Sequence, residues 1–145
     1  MEVSINNRLD TAWWALKIAF FVGPFLAGVD KFFQVLVNWD QYLSPMARNI
    51  LGSYSHTFML AVGVVEMIVG LLVLTRWTRI GAYIASNWLL LIAINLVTTG
   101  HYFDIALRDV GLCLSALGLA KVTEARAAMI VRTGRTERGG ERLVA

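Results

Sequence analysis

The residue type that most suggests chemistry is the carboxylate of Glu66, which lies near the middle of a long apolar stretch. Gly63 and Gly70 lie three residues before it and four after it, so all three share one face of a helix. Glycines let helices approach closely, so this face is expected to contact other helices rather than lipid. A charge inside an apolar span is costly and marks a candidate functional site.

Polar side chains in the neighbouring apolar stretches are candidate partners for Glu66. Lys17 in the first stretch is the nearest cation in depth, and Asn87 and Asn95 in the third are hydrogen-bond donors. One interpretation is a structural tie that fixes the register of the helices. The other is a proton-accepting group, or a headgroup contact in a small cavity. The sequence leaves both open.

A second polar cluster is predicted at one end of the helices, as a set of ligand candidates on the outer face. Lys31 closes the first stretch, His56 opens the second, and His101, Asp104 and Arg108 surround the start of the fourth. Asp104 and Arg108 have the i,i+4 spacing of a helical ion pair. The cluster fits helix capping, a site for a quinone head or small anion, or a metal or haem site. The histidines lie too shallow for the last, so no metal site is expected.

Four apolar stretches must position these side chains. The chain has 145 residues, 57% of them hydrophobic, and a mean hydropathy of +0.62. A stretch of about 20 apolar residues crosses a bilayer. We therefore expect an all-α integral membrane four-helix bundle in contact with the lipid bilayer, formed by residues 1–122 with spans at about 12–29, 56–74, 80–98 and 104–122.

Two segments lie outside the predicted spans. Residues 30–55 place apolar and polar positions at helical spacing, which predicts a segment in the membrane interface. Within it, Ser44 and Pro45 are typical of a helix start, and Gly52 of a helix end. Residues 123–145 form a basic cytoplasmic tail in this interpretation.

The distribution of cations predicts the orientation. With four spans, Arg8, Arg76 and Arg79 lie on one side, together with six further cations, which are Lys121 and the five arginines of the C-terminal tail. The opposite side carries Lys31 and Arg48, with Arg108 just inside the fourth apolar stretch. Positive charge accumulates on the cytoplasmic side. Both termini are therefore expected in the cytoplasm, in a multi-pass protein of the bacterial inner (plasma) membrane.

Several function classes have no support in the sequence. Cys113 is the single cysteine and cannot form an internal disulfide. The chain has no glycine-rich phosphate loop, no zinc-ligand spacing and no basic-aromatic strip. We therefore expect no nucleic-acid partner and no intrinsic cofactor, with quinone as the candidate bound group.

Three short motifs resemble the DoxX-like family of small four-helix bacterial membrane proteins. They are Gly28-Val-Asp-Lys31, Val65-Glu66 before Gly70-Leu71-Leu72, and Gly100-His101-Tyr102-Phe103-Asp104 with Arg108-Asp109. The resemblance covers about residues 12–122, and the family's recurrent polar features fall on Lys31, Glu66 and Arg108. It implies an accessory or quinone-linked component of a larger membrane redox or bioenergetic complex, without implying a catalytic set.

Two alternative functions remain open. The chain could be a stand-alone quinone-interacting oxidoreductase module, whose electrons would come from a partner. It could also be a small transporter with Glu66 as the proton-coupled site. In the favoured interpretation the chain is not catalytic alone, and its partners are other membrane subunits or further copies of itself.

Overall fold

The computed structural model describes the backbone of residues 2–144 and the side chains of residues 8–131. Five α-helices account for most of this part of the chain, and two short 3-10 turns, Trp39–Tyr42 and Gly52–Tyr54, flank the second helix. The all-α prediction is confirmed. The helices are α1 (Glu2–Phe33), α2 (Pro45–Leu51), α3 (Ser55–Leu74), α4 (Thr78–Thr98) and α5 (Phe103–Val144).

Three segments of the described chain are long and apolar enough to cross a membrane: Arg8–Phe33, Pro45–Leu74 and Thr78–Thr98. The predicted membrane character of the protein is thereby supported. The predicted fourth span, 104–122, lies inside α5 and is not among these three. It contains four charged residues, Asp104, Arg108, Asp109 and Lys121, and its crossing of the membrane stays a prediction.

The outer helices extend beyond the predicted spans. α1 begins at Glu2 rather than near residue 12, and α5 continues past residue 122 to Val144. The added segments contain no proline, so nothing in them removes a helical hydrogen bond. The predicted tail, 123–145, is therefore largely helical backbone, and the side chains of residues 132–145 lie outside the described ones.

Glycines bring α1 and α3 into backbone contact. A Cβ atom placed on Gly28 would lie 2.5 Å from the carbonyl oxygen of Gly63, and one on Gly63 would lie 2.7 Å from that of Gly28. Further along the same pair of helices, Gly70 packs against the carbonyl oxygen of Phe21. α4 also packs along α5, and α3 packs along α4. The contact at Gly28 and Gly63 fixes the register of the two helices that carry the central ion pair described below.

Small side chains dominate the core, and large apolar ones cover the outside. Alanines make up much of the buried cluster, which allows close helix contacts. A water-soluble protein rarely exposes so much contiguous apolar surface, so this outside is consistent with lipid contact. Exposed apolar side chains within the helices include Ile18, Val22, Leu26, Ile68, Leu71, Leu91, Ile94, Leu107 and Leu114.

Polar contacts tie α1 and α4 to α5 at the end remote from the 34–54 connection. Trp13 donates its indole hydrogen to the Thr123 hydroxyl over 2.8 Å, and Arg126 donates to Asp10 over 2.7 Å. The Tyr83 hydroxyl donates to Glu124 over 2.9 Å. This bond is the leading reason that the pKa of Glu124 lies below its ordinary value. The contacts hold the helix ends together without involving Glu66.

Candidate functional site

A buried ion pair between Lys31 and Glu66 is the centre of the candidate site. The Lys31 ammonium lies 2.5 Å from Glu66 Oε2, and the two side chains are only 3% and 8% exposed. Burial of this degree is rare for charged side chains unless they are paired. The buried carboxylate of Glu66 therefore has a cationic partner. That partner is Lys31, which the sequence analysis assigned to the outer-face cluster.

Helix geometry explains how a lysine at the end of α1 meets a glutamate deep in α3. Lys31 lies two residues before the end of α1, whereas Glu66 lies in the interior of α3. Side chains on a helix lean towards its N-terminus, so the lysine extends back into the apolar region. There it also donates to the carbonyl oxygen of Ala27 over 3.4 Å. The long aliphatic stem passes the Cα of Gly63, where a larger residue would block it.

Asp30 positions an aromatic ring over Lys31. Its carboxylate accepts hydrogen bonds from the backbone N–H groups of Val35 and Leu36, just after α1 ends. It also accepts from Trp39 Nε1 over 2.7 Å. The Trp39 ring centroid consequently lies 3.8 Å from the Lys31 ammonium, a cation–π distance. Asp30 is thus a positioning residue, and Trp39 covers the ion pair from the connection.

A second carboxylate and a second indole complete the site. Asp109 of α5 is buried and lies within electrostatic reach of both Lys31 and Glu66. Arg108 contacts it at 3.2 Å, with the guanidinium side chain largely exposed. The buried Nε1 of Trp88 approaches the Glu66 carboxylate without closing a hydrogen bond of standard geometry. The site therefore joins side chains of α1, α3, α4 and α5.

This arrangement can hold a mobile proton. Lys31 interacts electrostatically with three carboxylates, those of Asp30, Glu66 and Asp109, and bonds only to that of Glu66. A proton on Glu66 would weaken its hold on the ammonium, and Asp30 and Asp109 would then be the remaining carboxylates that interact with Lys31. One cation shared among carboxylates that can gain or lose a proton suits acid–base chemistry in an apolar site.

The predicted partnership of Lys17 with Glu66 is wrong. The Lys17 ammonium donates to the carbonyl oxygen of Thr75 over 3.1 Å and lies 4.5 Å from the ring centroid of Trp13. Thr75 follows the last residue of α3, so Lys17 sits at the end of α3 remote from the connection. Its side chain leans towards the N-terminus of α1, away from Glu66. Sequence depth alone could not show this direction.

The two asparagines also serve other groups. Asn87 donates to the carbonyl oxygen of Tyr83 in its own helix, over 3.1 Å, and faces outward. Asn95 accepts from the backbone N–H of Ser44 and donates to the carbonyl oxygen of Tyr42 over 2.7 Å. Neither hydrogen-bonds to Glu66, contrary to the prediction. Asn95 instead fixes the 34–54 connection onto α4.

The outer-face candidates separate into distinct groups. Lys31 is buried in the ion pair and is not a surface ligand. His56 contacts Asp40 at 2.9 Å on the connection, and His101 lies exposed in the turn before α5. The predicted pair of Asp104 with Arg108 does not form, because Arg108 contacts its neighbour Asp109 instead. That competing contact lies next to the central site.

Sequence reasoning missed Asp109, Trp39 and Trp88 as members of the site. A helical face of α5 offered a signal for the first, because Asp109 shares its spacing with the small residues Ala106, Ala116 and Ala120. A carboxylate on such a stripe must point inward. The two indoles gave no comparable signal, since a tryptophan in a membrane protein is more often an interfacial anchor.

Within the described side chains, no three His, Cys, Asp or Glu residues gather as metal ligands. Comparisons with protein-family models, with curated proteins and with solved structures find no match to this chain.

Proposed function

We propose that this protein is a small accessory or quinone-linked component of a membrane redox complex, and that its central site exchanges a proton with a quinone. In this proposal the four predicted spans form one bundle, with both termini in the cytoplasm of a bacterial cell. The observation that carries the proposal is the buried Lys31–Glu66 pair with Asp109 beside it.

The chemistry of quinones fits such a site. A quinone takes up two electrons and two protons when it becomes a quinol, and it travels in the apolar part of the bilayer. A carboxylate and an ammonium inside apolar spans supply an acid and a hydrogen-bond donor at that depth. The two electrons and the second proton would come from a partner subunit that carries the redox centre. The chain itself would bind the ring and manage one proton.

The position of Trp39 over the ion pair supports a route by which a quinone could reach Lys31 from the 34–54 connection. Trp39 belongs to a short 3-10 turn rather than to a spanning helix. A displacement of this turn would uncover Lys31 without separating α1 from α3. An aromatic ring next to the ammonium also offers a stacking surface of the right kind for a quinone ring.

The test is quinone binding by the purified full chain in mild detergent. Tryptophan quenching by a short-chain quinone should be saturable, because Trp39 and Trp88 flank the site. Glu66→Gln keeps the shape and removes the titration, and we expect about tenfold weaker binding from the loss of a charged hydrogen bond. The matched control is Glu124→Gln at the remote end of the helices, which should bind as the wild type does.

Two results of the quinone titration would count against the proposal, and a proton-uptake result would favour the alternative. Absence of saturable quenching at every pH would refute the quinone-linked role. Equal loss in Glu66→Gln and Glu124→Gln would mean that the effect is not specific to the central site. Proton uptake by proteoliposomes that depends on Glu66 but not on quinone would favour the alternative of a small transporter.

The accessory role has its own test, which is purification from native membranes with reversible crosslinking. We expect one or more redox subunits to copurify with the chain. Recovery of the free chain alone, or of copies of itself alone, would contradict the accessory role while leaving quinone binding to be judged by the titration.

A further inference from the structure

A polar groove lies between the connection that follows α1 and the turn that precedes α5. Its volume is about 450 Å³. Two amides, two hydroxyls, one guanidinium and one imidazole line it together with the apolar Leu43 and Pro45. No carboxylate is among these lining residues, all of which belong to the described part of the chain. Such a lining suits an anion that also carries hydroxyl groups. The lining includes Gln41, Arg48, Asn49, Thr99, His101 and Tyr102.

Arg48 is held in place without being neutralised. One of its terminal nitrogens donates to the backbone carbonyl oxygen of Asp40 over 2.7 Å. A guanidinium has five N–H donors, so most of them remain for a ligand. Among the described residues, no carboxylate forms a salt bridge with Arg48. The Asp40 carboxylate instead contacts His56.

Apolar side chains flank the groove. Met46 and Ile50, one helical turn apart on α2, are 72% and 73% exposed, and Phe103 at the start of α5 is 58% exposed. α2 opens the continuous apolar segment Pro45–Leu74, which is long enough to cross a membrane. The groove therefore lies where a spanning segment ends. Phospholipid headgroups occupy this level of a bilayer, with their acyl chains against the apolar residues.

We propose that this groove binds the phosphodiester of an anionic phospholipid. Arg48 would contact the phosphate oxygens, because its planar fork matches phosphate geometry. Gln41, Asn49 and Thr99 would contact the hydroxyl groups of the headgroup. A zwitterionic headgroup would fit less well, because the lining supplies no carboxylate for its ammonium. The Asp40 carboxylate, in the adjoining groove that shares Gln41 and Arg48, already contacts His56. This site is separate from the buried pair and does not depend on quinone binding.

The test measures retained lipid on the full chain by native mass spectrometry from detergent. Phosphatidylglycerol and phosphatidylcholine are offered in parallel. We expect phosphatidylglycerol to bind in preference, and Arg48→Gln to weaken that binding about tenfold through loss of a charged hydrogen bond. The matched control is Arg76→Gln, since Arg76 is also exposed but lies in the turn at the other end of α3. Arg48→Lys should recover part of the affinity.

Three results would overturn the proposal. Equal binding of the two lipids would remove the anion preference. Equal loss in Arg48→Gln and Arg76→Gln would indicate general attraction to surface charge. Displacement of the lipid by excess inorganic phosphate would identify a site for a free anion instead. A preference for phosphatidylglycerol that Arg48→Gln alone abolishes, and that phosphate does not disturb, would support the lipid site.

Discussion

Replacing Lys31 by methionine tests whether the buried ion pair holds the helices together. Methionine keeps the unbranched stem that passes Gly63 and removes the charge. Glu66 would then remain as a carboxylate with 8% of its side chain exposed and without its cation. Breaking one partner of a buried pair costs about 3–5 kcal/mol, and total unfolding free energies are about 5–15 kcal/mol. The variant should therefore lose a large share of its stability.

A double-mutant cycle separates the pair from the individual side chains. Glu66→Leu alone leaves the ammonium of Lys31 buried without the carboxylate that bonds to it, so it should also be strongly destabilised. Combining Lys31→Met with Glu66→Leu removes both charges and leaves two apolar side chains. Such replacements of buried pairs are often neutral. The combined variant should therefore recover most of the loss, with a coupling of about 3 kcal/mol between the two positions.

The assay is reversible unfolding in mixed micelles, followed by circular dichroism. Lys121→Met is the matched control, because its ammonium contacts Glu124 at 3.2 Å with 63% of the side chain exposed. An exposed pair of this kind contributes little, so the control should unfold close to the wild type. The reasoning would be refuted if Lys31→Met changed the stability by less than about 1 kcal/mol, or if the two single changes were simply additive.

Two further predictions concern helix contact and pH. Gly63→Ala should destabilise the protein by about 1–3 kcal/mol through overpacking, because its Cβ would lie 2.7 Å from the Gly28 carbonyl oxygen. Gly111→Ala, which meets nothing within 4 Å, should be neutral or stabilising in the same unfolding assay; equal costs would contradict the contact. The hydrogen bond from Tyr83 lowers the pKa of Glu124 below 4.5, so its stabilisation is complete above that pH and disappears as the pH falls through the lowered value. Glu124→Gln should therefore flatten the acid side of a plot of stability against pH, and an unchanged plot would refute the assignment.

The positions of the apolar helices follow from local sequence. α3 and α4 begin and end within two residues of their predicted spans, since a long apolar stretch between turn residues has few other conformations in an apolar solvent. The Ser44–Pro45 start and the Gly52 end of α2 are also local signals. Ser44 accepts from the N–H of Ala47, and Gly52 has φ of +53°. The extensions of α1 and α5 were missed, because polar helices lack a hydrophobic signal of their own.

The membership of the site was only partly readable from the sequence. Glu66 stood out because a carboxylate among apolar residues is costly wherever the chain folds. Its partner was not predicted, because Lys17 was the nearest cation by depth and Lys31 was placed in the outer-face cluster at the end of the same helix. Arg108 was predicted as a site residue and the neighbouring Asp109 was not, although small residues share the helical face of Asp109.

Hydropathy and charge along the chain are enough to predict that lipid surrounds the helices and that Glu66 needs a partner. The packing of the helices makes Lys31 that partner. The backbone contact of Gly28 with Gly63 sets how far α1 slides along α3, and the N-terminal lean of helical side chains sends Lys31 inward and Lys17 away. Pairing across helices depends on register and direction, and neither is encoded in the spacing of residues along one helix.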